Sequence, residues 1–341
     1  VAGDYFPAWE NWFSDHIWQR ERWLQAYVAL NMRLGRVAVN EVVLGKQVLL
    51  PRIETSYKEW DFREKAAAAG DDLLALDQYI RQRGGSFLYV GAPDQYSLFR
   101  DWYPVYQYNN STWLEQAESC FFAALDKRQI AYINMRPIFM AEKAYDRFYY
   151  KSDHHYNLLG AYRTYEQIAK KLAEDGWNCA MLDQRELIFE QLPNPFCGSR
   201  GRKLYGLSPV ADQAVIYSLV KPIPFRRFDD GVAVDATVFA LPQSSQDQVS
   251  YSLYMGGDIG ETVIETNRPA LPDVLLFGDS FTNALETLLY TGFDQTRSVD
   301  LRYYQDRDIY AYIQRYDPDI VICLRNDNDY MVREGNGAIL P

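Results

Sequence analysis

The stretch DVLLFGDSFTNAL, residues 273–285, runs from a block of aliphatic and aromatic side chains through Gly278 into an acidic residue and a serine, and then into a helix-like segment. A strand that is apolar on successive residues, rather than on alternate ones, reads as buried on both faces, as in a parallel sheet. Gly278 permits a sharp turn at its end, and the helix N-terminus that follows offers free backbone N–H groups able to stabilise an oxyanion. Ser280 is therefore a candidate nucleophile. The competing reading is that its hydroxyl merely caps the helix, a common use of serine.

Outward from this point the same rhythm recurs. The sequence predicts a strand over SVDLRY (298–303), a helix over 306–316 and a strand over DIVICL (319–324). Upstream it predicts a helix over Trp60–Arg83, the strand SFLYVGAPD (86–94), a helix over 111–127, the strand IAYINM (130–135) and a helix from Asn157 to Asp175. Strands alternating with helices imply a mostly parallel, doubly wound sheet with its site at the carboxyl ends of the strands. Residues 5–35 place large apolar residues at helical spacing, and VNEVVLGKQVLLPR (39–52) reads as a hairpin turning at Gly45-Lys46. From about Leu182 to Asn267 short alternating runs broken by Gly, Pro, Ser and Asp predict a mainly β insertion. The expected organisation is a segment of residues 1–59 packed on an α/β domain of residues 60–341.

A serine hydroxyl needs a base, and the base needs an orienting acceptor. Only three histidines occur in the chain, and two of them stand together in YYKSDHHYNLLGAY (149–162) directly after Asp153. Asp153 can reach Nδ1 of the imidazole two residues on, leaving Nε2 of His155 for the serine. Two other readings stay open for this cluster. It could ligate a metal, although adjacent histidines tend to point apart and no further His or Cys cluster is present to complete a shell. Alternatively Asp153 caps the following helix while a histidine packs in the core.

Composition narrows the function classes. A formal charge of −11 and the absence of a basic run argue against nucleic acid and against a polybasic membrane contact. Four cysteines, Cys120, Cys179, Cys197 and Cys323, have neither metal spacing nor the density of a disulfide scaffold. The sequence begins at Val1 with no basic n-region, from which a removed signal or anchor is expected. Aromatic residues make up 15%, with 27 tyrosines and 8 tryptophans. Rings stack on sugar faces, so an open groove beside Ser280, lined from the 182–267 stretch and by Tyr156, is expected.

The motifs carry a resemblance. Gly278-Asp279-Ser280 at a strand end resembles the first conserved block of the SGNH hydrolase superfamily, and YYKSDHHYN is similar to the Asp-x-His motif of its acyltransferase branch, which precedes the serine. That order is the order of the bacterial DHHW proteins and the alginate O-acetylation proteins. DHIWQRERWL (15–24), VVLGKQVLL (42–50), VGAPDQYSLFRDWYP (90–104), YSLYMGGDIGETVIETN (251–267) and SVDLRYY (298–304) resemble further segments of that family, so the likeness spans nearly the whole chain. It implies a permuted three-layer α/β/α SGNH-like fold, Ser280 as nucleophile, His155 as base and Asp153 as its orienter, with His154 at the variable position. It also implies transfer of an acyl group, acetyl above all, to an extracytoplasmic polysaccharide. A membrane-bound O-acyltransferase partner would supply the acyl group, with no soluble cofactor and no metal. A carbohydrate esterase and a non-catalytic carbohydrate-binding protein are the alternatives. Tyr156 stands where the family has Trp, and its Gly-x-Asn-Asp oxyanion block has only an imperfect counterpart in PDIVICLRNDND (318–329). Asn326, Asn328, Gly256 and Gly257 are thus oxyanion candidates, and Arg200 and Arg325 candidates for substrate contact.

Overall fold

The computed structural model describes residues 18–45, 47–53, 62–105, 107 and 111–339. Helix α1 (Arg20–Arg33) leads into a small antiparallel sheet of β1 (Ala38–Val39), β2 (Val42–Leu44) and β3 (Leu49–Pro51). Then come α2 (Phe62–Gln82), β4 (Ser86–Ala92), the short α3 (Gln95–Leu98), α4 (Ser111–Lys127), β5 (Tyr132–Asn134), α5 (Met135–Met140) and α6 (Leu158–Glu174). The second half holds β6 (Leu187–Phe196), α7 (Ser199–Lys203), β7 (Asp212–Leu219), β8 (Arg226–Asp229), β9 (Val232–Val234) and β10 (Glu261–Glu265). It ends with β11 (Val274–Gly278), α8 (Thr282–Leu289), β12 (Gln295–Val299), α9 (Ile309–Tyr316) and β13 (Ile320–Asn326).

The central sheet runs β5-β4-β13-β11-β12-β10-β8-β9. Its first five strands are parallel and the remaining pairings are antiparallel. Side-chain alternation along each strand feeds two separate cores. Val274 and Leu276 of β11 pack with Leu158, Ala161, Tyr165 and Ile168 of α6 and with Leu285 and Leu288 of α8. Leu275 and Phe277 face the other way, toward Leu73 and Leu76 of α2, Phe121 of α4 and Ile313 of α9. Every residue of β11 is buried. This explains its unbroken apolar run: neither face of the strand meets water. The result is a three-layer α/β/α arrangement.

The hairpin predicted over 39–52 is β2 paired with β3, with Leu44 opposite Leu49. Of the predicted helix over 5–35, the part before residue 18 lies outside the described residues. The β-rich stretch is not wholly an insertion. β6 and β7 form a separate antiparallel pair, but β8, β9 and β10 extend the central sheet past β12. The strand expected over 298–303 instead spans Gln295–Val299, because Asp300 turns the chain. Its carbonyl accepts from Tyr303 and Tyr304, and its carboxylate accepts from the Arg302 amide. IAYINM yields strand only over 132–134, since the Asn134 side chain caps α5 there. The four cysteines are free thiols. Among the described residues no helix is long and apolar enough to cross a membrane.

Candidate active site

Ser280 follows β11 at the carboxyl edge of the sheet. Gly278 is demanded by packing: a Cβ there would lie 1.8 Å from the Leu324 carbonyl oxygen of neighbouring β13. The next residue locks the turn. The buried Asp279 carboxylate accepts the Phe281 amide at 3.0 Å and both the amide and the side-chain Nδ2 of Asn326, each at 2.7 Å. Burial raises its pKa, against the pull of these hydrogen bonds. With Phe281 and Thr282 amides both turned onto Asp279, the Ser280 N–H donates to no acceptor among the described residues. Of the Ser280, Phe281 and Thr282 amides it alone has no acceptor.

His155 arrives on the loop between α5 and α6. Tyr149 and Tyr156 pair across its neck, and Asn157 caps α6 by accepting from the Leu159 and Gly160 amides. Asp212 accepts the Lys151 and Ser152 amides at 2.8 and 2.7 Å, and the Gln95 amide donates to the His154 carbonyl at 3.0 Å. The loop is therefore held from β7 on one side and from α3 on the other. Held this way, His155 directs Nε2 to Ser280 Oγ at 2.7 Å and Nδ1 to Asp153 Oδ1 at 2.7 Å. Because a carboxylate only accepts, Nδ1 carries the proton and Nε2 is the free acceptor for the serine.

Asp153 is 1% exposed. Its Oδ1 also accepts the His154 and His155 amides at 2.8 and 3.1 Å, and its Oδ2 accepts the Ser199 amide at 2.5 Å. Burial alone would raise its pKa, but the charge and hydrogen bond of His155 outweigh that and hold the carboxyl well below the usual range. The Ser199 contact requires Gly198, where a Cβ would meet the Ser152 carbonyl oxygen at 2.3 Å. Local sequence gives no signal for this amide, since the partners lie on different parts of the chain.

These contacts remove the capping alternatives. α8 is capped by neither Ser280 nor any other side chain, and α6 is capped by Asn157, not by Asp153. The two histidines do not diverge as expected. Their rings lie 3.6 Å apart, because Ser199 Oγ meets His154 Nδ1 at 3.0 Å on the side where Asp153 holds His155. Asp153, His154 and His155 thus bring ligand-type atoms within 4.8 Å of one another. The electron pairs a cation would need are already committed: Nδ1 of His155 donates to Asp153, Nε2 faces Ser280 and both Asp153 oxygens accept N–H groups. This donor set fits proton transfer better than a metal.

Other expectations are corrected. Tyr156 does not line a groove: it is fully buried and its hydroxyl donates to the Phe281 carbonyl at 2.5 Å, bracing the turn from beneath. Asn326 spends its amide on Asp279 and Asp329, and Asn328 is bound to Tyr96 and Asp94. Gly256 and Gly257 lie in a left-handed turn; the Gly257 amide is given to the Tyr254 carbonyl, whereas the Gly256 amide donates to no acceptor among the described residues and keeps its candidacy. Arg200 is 7% exposed and ties the Asp153 carbonyl to Gln95, Asp94 and the Leu49 carbonyl. Arg325 is 4% exposed and donates to the Val332 carbonyl. Both guanidiniums are buried and donate to the chain's own carbonyl or carboxylate oxygens. The cavity of about 740 Å³ between the β2–β3 turn and Trp102–Val105 is lined by none of Asp153, His155 and Ser280.

The comparisons agree with this architecture. Residues 42–199, under half of the chain, match the model of the family described as "SGNH hydrolase-like domain, acetyltransferase AlgX". PatB1 from Bacillus cereus, solved with a sulfonyl adduct, superposes with a TM-score of 0.71 at 19% identity, covering 86% of this chain and 96% of that one. The fold is SGNH hydrolase-like. A DHHW family protein from Eubacterium siraeum gives a TM-score of 0.66 at 16% identity, over 88% of this chain and 95% of that one. The O-acetyltransferase domain of Pseudomonas putida AlgJ gives 0.54 at 12% identity, over 88% and 95%. No curated protein sequence matches significantly. In this SGNH hydrolase-like chain the aspartate and histidine precede the serine, the order read from the motifs.

Proposed function

We propose that this protein is a serine-dependent O-acyltransferase, with acetyl as the group carried, that modifies a cell-envelope or secreted polysaccharide outside the cytoplasm. The observation that carries the reading is the unbroken relay Ser280–His155–Asp153, with 2.7 Å at each step. Support also comes from the family model that matches residues 42–199, whose description includes an acetyltransferase.

Ser280 Oγ attacks the acyl carbonyl as its proton passes to His155 Nε2, and Asp153 balances the imidazolium through Nδ1. The Ser280 N–H faces the oxygen that gains charge. When the tetrahedral intermediate collapses, the donor's oxygen leaves with the proton from His155 and acyl-Ser280 remains. A sugar hydroxyl then attacks, His155 takes its proton, and the returning proton frees Ser280 from the acetylated sugar. A membrane-bound O-acyltransferase partner is the donor we infer, and no soluble cofactor enters the cycle.

The test combines a chromogenic acetyl ester with oligosaccharide acceptors and reads the products by mass spectrometry. The expected result is faster turnover with acceptor present and acetyl on the sugar, with Ser280→Ala inactive in both respects. Free acetate as the sole product, at a rate indifferent to every envelope glycan tried, would make the protein an esterase. An acetylation rate for Ser280→Ala equal to wild type would end the serine mechanism.

A further inference from the structure

The relay leaves one feature of the site unused. The His155 imidazole is covered on both faces. Tyr251 lies parallel to it, with ring centres 3.7 Å apart and planes within 4°. His154 lies 3.6 Å away at 37°. Two rings cannot share one face of an imidazole at such separations, so they flank it from opposite sides. Phe281 closes in at 5.1 Å and 54°. Tyr251 is delivered by a single helical turn, Tyr251–Leu253, in the β-rich stretch.

The Tyr251 hydroxyl is buried and has no hydrogen-bond partner. Burying a hydroxyl unpaired is unfavourable, by about 1–3 kcal/mol. No hydrogen bond directs the oxygen, so what Tyr251 presents to the site is its flat ring face, parallel to the imidazole. The Asp153 hydrogen bond fixes the imidazole at one atom and leaves its plane free to swing about that contact. Faces on both sides remove that freedom.

We propose that Tyr251 and His154 clamp the His155 ring, keep Nε2 aimed at Ser280 Oγ, and stabilise the imidazolium formed when the serine proton arrives. The proposal rests on Ser280 acting as a nucleophile, as set out above, and it makes both residues positioning residues. An aromatic face attracts a cation, so the clamp tightens as His155 gains charge and favours the transition state over the ground state. The charged and titratable groups around the ring fit this role. Asp153 sits at Nδ1, and Asp94 with Arg200 lies behind the loop. Tyr251 stays protonated, its pKa raised well above the usual value by burial. His154 stays neutral, its pKa lowered by burial and by the facing His155, so it adds no repelling charge.

The experiment measures covalent labelling by a small sulfonyl fluoride, followed by intact mass and peptide mapping, beside kcat and KM on a chromogenic acetyl ester. Wild-type labelling at Ser280 tests the nucleophile itself; an unlabelled wild type would sink the proposed function, not the clamp alone. Given labelling, Tyr251→Leu is expected to react about tenfold more slowly and to lose about tenfold in kcat at unchanged KM, the scale of one lost cation–ring contact. Tyr251→Phe should restore both. His154→Ala should lose about threefold, on the same scale, and His154→Phe should recover it. Circular dichroism confirms that each variant is folded. Should Tyr251→Leu not fold, the His154 pair decides. Wild-type labelling rates in folded Tyr251→Leu or His154→Ala, or a Phe variant as slow as its aliphatic counterpart, would overturn the clamp.

Discussion

Replacing Asp153 by Asn separates charge from hydrogen bonding in this site. Three donors converge on Oδ1, namely the His154 and His155 amides and His155 Nδ1, against one at Oδ2, the Ser199 amide. The three donors will select the orientation of the new side chain with its oxygen at Oδ1. His155 then keeps the proton on Nδ1, and Nε2 still faces Ser280. What disappears is the negative charge beside the imidazolium. At about 4 Å from the carboxylate to the centre of the ring charge, with an effective dielectric of about 20, that attraction is about 4 kcal/mol. The corresponding loss in kcat is about 10³-fold.

Stability falls as well, because the Ser199 N–H meets an NH2 group in place of an acceptor, which costs about 1–3 kcal/mol. The folded-state pKa of Asp153 is depressed, so the stability it contributes is present above the unfolded carboxyl value of about 3.9 and is lost as the pH falls below it. The gap in Tm between wild type and Asp153→Asn should hold from pH 7 to about 5 and narrow only below about pH 4. Acetyl-ester kinetics and thermal unfolding across that range provide the check. A variant within tenfold of wild-type kcat would refute the view that Asp153 stabilises an imidazolium.

Gly198→Ala should push the Ser199 amide off Asp153 and lower kcat about tenfold or more with KM little changed, since a charge-assisted hydrogen bond is lost; steady-state kinetics on the acetyl ester read this directly. Gly278→Ala has no room beside the Leu324 carbonyl and should destabilise by about 3 kcal/mol or more, visible as a lower urea midpoint. Asp327, whose Oδ1 accepts the Asp94 amide at 3.0 Å, has its carboxyl pushed up to about 7 by burial and by Asp94. A raised pKa favours the folded state at low pH, so the contribution of Asp327 to stability falls as the pH rises from about 4 to 7. In thermal scans over that range the Tm of Asp327→Asn should rise relative to that of wild type as the pH increases.

The parts of the site that sequence reading recovered are those whose chemistry is local. Gly278-Asp279-Ser280 is a turn that needs its glycine, Asp153 reaches His155 across two residues, and a helix follows directly from Asn157. What it missed depends on segments that meet only in the folded chain. Nothing in the neighbourhood of Tyr251 signals that its ring will lie on His155, and nothing near Ser199 signals that its amide will complete Asp153. Arg200 read as a candidate for substrate contact, because a guanidinium that ties four carbonyl and carboxylate groups together looks, in sequence, like one that waits for a ligand. Asn326 and Asn328 were drawn toward the oxyanion by resemblance, whereas Asp279 and Asp94 compete for their amides. The β8–β10 extension was hidden because short alternating strands read the same whether they form a separate lobe or continue a sheet.

The place of β13 in the sheet has a consequence for how the protein comes into being. β13 lies between β4 and β11, so within the central sheet β4 and β5 join the strand that leads to Ser280 through a segment that ends at Asn326. Until that segment leaves the ribosome, β4 and β11 belong to two half-sheets with no strand between them. The pairing of residues 86–92 with 320–326 closes a loop of most of the chain, the kind of long-range contact that slows folding. Asn326, the last residue of the same strand, also grips Asp279. Closure of the sheet and setting of the serine turn are therefore one event. A chain without residues 320–326 lacks both the strand between β4 and β11 and the grip on Asp279 that sets the Ser280 turn.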